Sequence, residues 1–305
     1  MSFIFGVGYT NCDIIYAGLS HVPEEGTELY AGQFDIQIGG GPPATLINLR
    51  NLNVPVKLAT FLGESMFCNL IRDEYARLNM EYVNLHNGKG MPLTITSAMI
   101  TPQDRTFVSY REDCPISGEA FEHMQKASTG AMFSIMDRLF IELHKWQKKQ
   151  GIRLVFDMGW EPDLNLETYA DYLELADYYT PNQKEAMAMT GTTNPDDAID
   201  VLSRYFSKAL VKLDKDGCLI CEDGVKTHIP PLPDITAIDA TGAGDAFLAG
   251  FLYGLYHNYP FADCVRYGNI TGGTCVRAIG CLGKQINESE LLAQNDHYFQ
   301  QSFCD

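Results

Sequence analysis

The residues best suited to chemistry lie in one short segment, Ile238–Gly250, which reads Ile-Asp-Ala-Thr-Gly-Ala-Gly-Asp-Ala-Phe-Leu-Ala-Gly. Its Gly-Ala-Gly turn runs directly into apolar residues at helical spacing, so we expect a helix to begin there. The first amides of a helix have no intrahelical acceptor and lie at the positive end of the helix dipole. Glycines also let an anion approach the backbone closely. The segment therefore predicts an anion hole formed by Gly242, Ala243 and Gly244.

Asp245 falls in the first turn of the same helix, beside the predicted anion hole. A carboxylate at this position can simply cap the helix or interact with its dipole. It can also accept the proton of a hydroxyl group. Phosphoryl transfer needs such a base, together with donors that stabilise charge on the transferred group. Because one segment supplies both, we predict ATP-dependent phosphorylation of a hydroxyl, with Asp245 as the catalytic base.

This segment resembles the C-terminal signature of the ribokinase-like, or PfkB, carbohydrate kinases, which has the form Asp-Thr-x-Gly-Ala-Gly-Asp. Here residues 239–245 read Asp-Ala-Thr-Gly-Ala-Gly-Asp. The resemblance implies a kinase that acts on a sugar or sugar-like small molecule and uses ATP and Mg²⁺. It also implies that Thr241 helps to bind the nucleotide. Asp239, together with Thr241, would lie near a monovalent-cation site, for K⁺, in members that have one.

A second segment, Thr180-Pro181-Asn182-Gln183-Lys184-Glu185, looks like the family's Asn-x-x-Glu motif after a strand. At helical spacing, Asn182 and Glu185 share one face. An amide and a carboxylate there can hold a phosphate oxygen and a hydrated Mg²⁺. Asn182 is thus a predicted nucleotide ligand, and Glu185 a predicted Mg²⁺ contact through water. The pair could also form a capping box at a helix start, and the two interpretations are compatible.

Substrate candidates come from the N-terminal part of the chain. Asn11 and Asp13 are similar to the ribokinase pattern in which an Asn and an Asp two residues later bind sugar hydroxyls; they could instead be turn residues bonded to their own backbone. Gly40 and Gly41 occupy the place of the family's Gly-Gly-x-x-x-Asn element and would let substrate lie close to the main chain. The Asn of that element is Ala44 here, which removes a hydrogen-bonding group.

Other candidates depend on weaker resemblance. Arg105 is similar to the Arg of the family's Asp-Gly-Glu-Arg flap turn and is a substrate candidate, although an exposed turn residue would look the same. Asn269 lies where family members often have an Asn near the adenine, and Gly280 follows where the chain closes that pocket. Trp160 follows a central strand and is a candidate contact of nucleotide or sugar, or a packing residue.

Lys212 stands where the family usually has the Thr of a Thr-x-Gly element near the nucleotide phosphates, and Asp214 replaces the Gly. Lys212 could reach an ATP phosphate, and it could equally form an ion pair at the end of its strand. Such altered positions motivate an alternative, a ligand-binding or regulatory protein that kept the fold without the activity. A nucleoside kinase is a further alternative. Retention of Asp245 favours an enzyme.

Apolar runs of strand length alternate along the chain with stretches of helical period. The expected strands are Ile4–Val7, Val56–Phe61, Ala131–Ile135, Leu154–Phe156, Tyr178–Tyr179 and Leu210–Leu213. The expected helices between them are Ser65–Leu78, Asp137–Gln150, Leu166–Leu175 and Pro195–Ser207. This rhythm predicts an α/β fold with a mostly parallel central sheet sandwiched by helices, as one domain over residues 1–305.

Two segments interrupt the rhythm. Thr27–Ile38 and Leu93–Tyr110 alternate β-branched or aromatic residues with polar ones and have no helix between the strands of each stretch. They predict antiparallel strands around a turn at residues 101–104. We expect a small β-sheet lid within residues 12–38 and 93–110, which could also form a homodimer contact.

Composition limits the partners. The formal net charge is -17, which repels nucleic acid and anionic membrane surfaces, so we expect neither as a partner. Hydrophobic residues make up 46% of the chain, enough for a packed core. Nine cysteines without a pairing pattern suggest reduced thiols, and we expect a cytoplasmic protein. Cys218 and Cys221 form a CxxC within an apparent strand, where they would point to opposite faces.

Overall fold

The structure, a computed structural model, describes residues 2–159 and 161–302. The strands in these residues are, in chain order, β1 (Phe3–Val7), β2 (Asn11–Ala17), β3 (Gln33–Gly39), β4 (Val56–Thr60), β5 (Tyr82–Asn84), β6 (Thr94–Ile100), β7 (Arg105–Tyr110), β8 (Ala131–Met136), β9 (Arg153–Phe156), β10 (Tyr178–Tyr179), β11 (Lys208–Lys212), β12 (Cys218–Glu222) and β13 (Val225–Ile229). The α-helices are α1 (Gly41–Asn51), α2 (Met66–Arg77), α3 (Gly118–Ser128), α4 (Ile141–Lys149), α5 (Ala170–Leu175), α6 (Gln183–Thr190), α7 (Pro195–Leu202), α8 (Ala243–Tyr256), α9 (Phe261–Cys275) and α10 (Glu288–Ser302).

A six-stranded parallel sheet forms the centre, in the order β10-β9-β8-β1-β4-β5. Core residues on the two faces of the sheet belong to two clusters. In β9, for example, Val155 belongs to the cluster that includes residues of α1, α8 and α9, whereas Leu154 and Phe156 belong to the cluster that includes residues of α3, α4 and α7. Both faces are therefore covered by helices, as buried parallel strands require. The predicted α/β fold is confirmed.

The strand predicted at Leu210–Leu213 exists as β11, but it does not belong to the six-stranded sheet. It pairs with β12 in an antiparallel sheet of order β11-β12-β13. A single parallel bridge between Asn182 and Lys212 connects this sheet to the end of β10. Cys218 and Cys221 lie on β12 and enter different core clusters, as the strand period predicts.

A four-stranded sheet of order β3-β2-β6-β7 forms the lid. The turn at residues 101–104 joins β6 to β7 as predicted, with the Thr101 amide donating to the Asp104 carbonyl at 3.0 Å. Two expectations were wrong in detail. The strand predicted from Thr27 begins at Gln33, and β2 pairs with β6 in parallel, so the lid is mixed. Asn11 and Asp13 lie on strand β2 and not in a turn.

Two further properties bear on the environment of the protein. None of the helices in the described part of the chain has the length and apolarity needed to cross a bilayer. Eight cysteines lie in the described residues; all are free thiols, and seven of them are buried. Burial favours packing over reactivity for such thiols.

Candidate active site

A cavity of about 400 Å³ opens between the lid and the first turns of α1 and α8. Nine of the predicted site residues line it: Asn11, Asp13, Gly40, Gly41, Asp239, Thr241, Gly242, Asp245 and Gly280. They come from three distant parts of the chain, and the fold brings them together at the carboxyl edge of the central sheet. This edge is where open α/β sheets bind ligands.

Helix α8 begins at the predicted glycine turn. Gly242 is its N-cap with φ 75°, a left-handed conformation that disfavours side chains. A Cβ at this position would lie 2.3 Å from the Cβ of Cys281, so only glycine fits. The Ala243 amide donates to the Ala240 carbonyl at 3.3 Å, which engages one of the three predicted anion-hole amides. The amides of Gly244 and Asp245 open the helix without intrahelical acceptors.

The Asp245 side chain does not cap α8 and faces the cavity instead. A Cβ built on Gly41 would lie 3.5 Å from Asp245 Oδ1, an ordinary van der Waals distance, so the start of α1 lies directly beside this carboxylate. Burial raises the pKa of Asp245 to about 7, and the negative charges of Asp157 and Asp13 act in the same direction. Lys212 and the Thr45 hydroxyl oppose the shift. A carboxyl group tuned in this way can exchange a proton near neutral pH.

Asn11 and Asp13 extend from β2 into the same cavity. Gly40 precedes α1 with φ 94°, and a Cβ there would lie 2.6 Å from the Tyr9 carbonyl oxygen, so the glycine lets this loop approach β2 closely. Burial raises the pKa of Asp13 to about 6, opposed by a hydrogen bond with Thr96. The buried hydroxyl of Thr10, which precedes Asn11, is hydrogen-bonded to the hydroxyls of Thr60 at 2.8 Å and Tyr75 at 2.7 Å.

Asp239 accepts hydrogen bonds from four protein donors. Its Oδ1 accepts from the Thr241 amide at 3.0 Å, the Thr241 hydroxyl at 2.7 Å and Arg105 Nη1 at 3.0 Å, and its Oδ2 accepts from the Gly280 amide at 2.9 Å. Burial alone would raise the pKa of Asp239, but these donors outweigh burial and lower it. Arg105 also donates to the Thr241 hydroxyl at 3.2 Å, so it links the lid to the segment that leads into α8.

Lys212 lies beside the anion hole. Its Nζ is 3.7 Å from the position of a Cβ built on Gly244 and 3.1 Å from Asp157 Oδ1. Burial alone would lower the pKa of Lys212, but Asp157 and Glu185 outweigh it and raise the pKa. Lys212 is thus a charged lysine among three carboxylates, those of Asp157, Glu185 and Asp245. Lys212 thus forms an ion pair, as one of its two interpretations predicted, while Asp214 accepts a hydrogen bond from Gln183 at 2.7 Å.

Asn182 and Glu185 form a capping box at the start of α6. The Glu185 amide donates to Asn182 Oδ1 at 3.0 Å, and the Asn182 amide donates to Glu185 Oε2 at 2.9 Å. Glu185 is buried, which raises its pKa, while Lys212 and Asn182 oppose the shift. No cluster of three metal-binding side chains occurs among the described residues. Proteins nevertheless usually bind Mg²⁺ with only one or two carboxylates, because the phosphates of the substrate and water supply the other ligands.

Five predicted ligands within the described residues do not line this cavity: Arg105, Asn182, Glu185, Lys212 and Asn269. Asn269 is buried in α9, where its Nδ2 donates to the Pro230 carbonyl at 2.8 Å and its Oδ1 accepts from the Cys218 thiol at 3.1 Å. Its amide therefore holds α9 against β12 and the chain after β13. Trp160 falls outside the described residues.

Sequence reasoning missed several residues of the site. Asp157, the ion-pair partner of Lys212, directly follows β9, and a carboxylate just after a parallel strand is a usable signal for the ligand edge of a sheet. Thr96, Phe107 and Ser109 line the cavity from β6 and β7. The alternation of the lid strands could have found them, but only with the register known.

The family model described as pfkB family carbohydrate kinase matches residues 1–287. Ribokinase of Arabidopsis thaliana is 23% identical over 305 residues, covering 94% of this chain and 79% of that protein. The structure of Arabidopsis thaliana ribokinase complexed with ribose and ATP superimposes with a TM-score of 0.81 at 20% identity, covering 97% of this chain and 99% of that one. The nucleoside kinase of Burkholderia thailandensis in complex with inosine gives a TM-score of 0.78 at 18% identity, covering 97% and 99%.

Proposed function

Because the chain belongs to the pfkB family of carbohydrate kinases, which are ATP-dependent phosphotransferases, we propose that it transfers the γ-phosphoryl group of ATP to a hydroxyl of a sugar or sugar-like molecule bound in the cavity. The observation that carries this proposal is the Asp245 carboxylate, which faces the cavity next to the first amides of α8. Asn11 and Asp13 on the opposite wall supply hydrogen-bonding groups for the acceptor.

In this mechanism Asp245 accepts the proton of the attacking hydroxyl. Its pKa of about 7 keeps a useful fraction ionised at neutral pH while making it a stronger base than an ordinary carboxylate. The amides of Gly244 and Asp245 donate to the oxygens that gain charge during transfer. Arg105 keeps the lid against the start of α8, which excludes water from the reacting groups.

ATP would place its phosphates between the first turn of α8 and Lys212. Lys212 would neutralise phosphate charge there, as its position next to Gly244 supports. Mg²⁺, when bound, supplies charge neutralisation at the phosphates. Asp157 and Glu185 are the carboxylates that would hold it, through water in the case of Glu185. Nucleotide contacts by Asn182, Thr241, Asn269 and Gly280 stay predictions; for Asn269 the hydrogen bonds within the protein oppose one.

Replacement of Asp245 by Asn tests the assignment. Asn keeps the size of the side chain and cannot accept the proton, so kcat should fall about 10²–10⁴-fold. The rate of ADP release, during incubation with a panel of sugars and nucleosides, measures kcat for both proteins. Asp234→Asn, at an exposed bend that does not line the cavity, is the matched control and should retain activity. Undiminished turnover in Asp245→Asn would remove the proposed base.

Further proposals concern the assembly and setting of the protein. We propose one kinase domain with its β lid, a homodimer formed through the lid, and a cytoplasmic location. Exposed aromatic and aliphatic side chains on the outer lid face support the dimer, and the buried free thiols support a reducing compartment. A K⁺ site at Asp239 is less supported, because four protein donors already occupy this carboxylate. A regulatory protein without activity is disfavoured by the tuned Asp245.

A further inference from the structure

The lid presents two chemically different rows of side chains to the cavity. The register pairs Asp13 with Thr96 and Thr96 with Ser109, which gives a polar row across β2, β6 and β7. One pleat further along, it pairs Ile15 with Ala98 and Ala98 with Phe107, which gives an apolar row. All six residues line the cavity. Residues two apart on a strand are separated by about 7 Å, so the spacing between the polar row and the apolar row is close to the width of one small ring, such as a sugar or a phenyl group.

The polar row interacts electrostatically with the proposed base. Asp13 acts on the charge of Asp245, and the Thr96 and Ser109 hydroxyls are 3.0 Å apart, so together they offer a hydrogen-bonding strip for hydroxyl groups. In the apolar row, Ile15 and Ala98 are buried, whereas Phe107 is 47% exposed. An exposed aromatic ring at the end of an otherwise buried apolar row provides a surface on which a flat group can stack.

Charge further limits the substrate. The described residues that line the cavity include three carboxylates, those of Asp13, Asp239 and Asp245, and no Lys, Arg or His. The neighbouring cation Arg105 is already paired with Asp239 at 3.0 Å. A phosphate or carboxylate on the acceptor would therefore face the negative charges of Asp13 and Asp245 with no unpaired cation among the lining residues.

We propose, on the basis of the kinase function above, that the acceptor is an uncharged polyol that carries a flat aromatic or heteroaromatic ring, with the polyol on the polar row and the ring stacked against Phe107. Nucleosides and aryl glycosides share this chemistry. Phosphorylated sugars and sugar acids are excluded by charge, and free sugars leave the apolar row uncovered. Phe107 is then the principal specificity residue.

Calorimetric titration of the full-length protein with a matched ligand series tests the proposal: ribose, ribose 5-phosphate, uridine and phenyl β-D-ribofuranoside. Uridine or the phenyl glycoside should bind at least about tenfold more tightly than ribose, because stacking and apolar burial add to the polyol contacts. Ribose 5-phosphate should bind more weakly than ribose. Comparison of uridine with the phenyl glycoside shows whether a base or any aryl group is preferred.

Substitution of Phe107 tests whether this side chain causes the preference for ring-bearing ligands over ribose. Phe107→Ala should reduce the preference for the ring-bearing ligand about tenfold, and Phe107→Tyr should keep it. Thr106→Ala, on the outer face of the same strand, is the matched control and should leave the preference ratio unchanged. Absent or equal binding of the ring-bearing ligands, or tightest binding of ribose 5-phosphate, overturns the proposal.

Turnover separates this inference from the kinase proposal. If a ring-bearing ligand binds preferentially but no compound in the series causes ATP consumption, the kinase function is rejected. The inference that the polar row binds the polyol and Phe107 binds the ring is then retained. ATP consumption that is fastest with ribose 5-phosphate would keep the kinase function and reject the assignment. ADP release, measured with the same series, decides between these results.

Discussion

Asp245 must be ionised to accept a proton, yet its surroundings oppose ionisation. Since its pKa is about 7, kcat/KM should fall about tenfold per pH unit below that value and level off above it. Initial rates between about pH 5 and pH 9, at low acceptor concentration, provide the measurement. A profile that is flat across this range, on a substrate whose chemistry limits the rate, would contradict the assignment of Asp245 as the base.

The pH dependence of folding stability reports the pKa of Asp245 independently of activity. The pKa of Asp245 in the folded protein lies above the ordinary value of 3.8, so the folded state holds the proton more tightly than the unfolded chain. The stabilisation by the neutral form is fully present below about pH 4 and is lost as the pH rises through about 7. Asp245→Asn removes this loss, so its Tm relative to the unmodified protein should increase over that interval.

Lys212 is the cation that offsets the carboxylates of the site. Lys212→Met should weaken ATP binding and raise the pKa of Asp245, because Lys212 now lowers that pKa. The acid limb of the rate profile should move to higher pH, and KM for ATP should rise by about tenfold, the size of one charge-assisted contact. Lys215→Met, an exposed lysine three residues along, is the control. An unmoved acid limb would show that Lys212 does not act on Asp245.

At the scale of elements, a partly buried ion pair joins the lid to the segment that leads into α8. Arg105 on β7 bonds both Asp239 and Thr241. Arg105→Ala should loosen the lid and admit water, so that ATP hydrolysis increases several-fold relative to transfer to the acceptor. The ratio of ADP formed to phosphorylated product measures this. Gln103→Ala, at the exposed tip of the same hairpin, should not change the ratio.

At the scale of the whole molecule, the outer face of the lid is unusually apolar for a solvent-exposed surface. Phe34 is 61% exposed, Val108 64% and Tyr110 57%. We expect this face to be covered in a homodimer. Val108→Asp should therefore shift the protein to a monomer in sedimentation equilibrium. Val225→Asp, at a valine that is 66% exposed on β13, is the control. An unmodified protein that is monomeric at high concentration would reject the dimer.

Local sequence patterns were enough to predict the start of α8, the start of α6 and most of the central strands. The first turn of α8, with Asp245 in it, follows from a glycine turn that enters a helical period, and the capping box at Asn182 and Glu185 follows from their three-residue spacing. The central strands follow from short apolar runs. In each case the deciding interactions connect residues close in the chain, so the sequence pattern contains them.

Only the tertiary structure shows which of these residues contact each other in the site. Arg105 and Asp239 are 134 residues apart, and Lys212 and Asp157 are 55 apart. Nothing local specifies such pairs, because they depend on strand order and on the register of the lid. The same reason explains the misplaced start of β3 and the missed apolar row, since a shift of one residue in register exchanges the two faces of a strand.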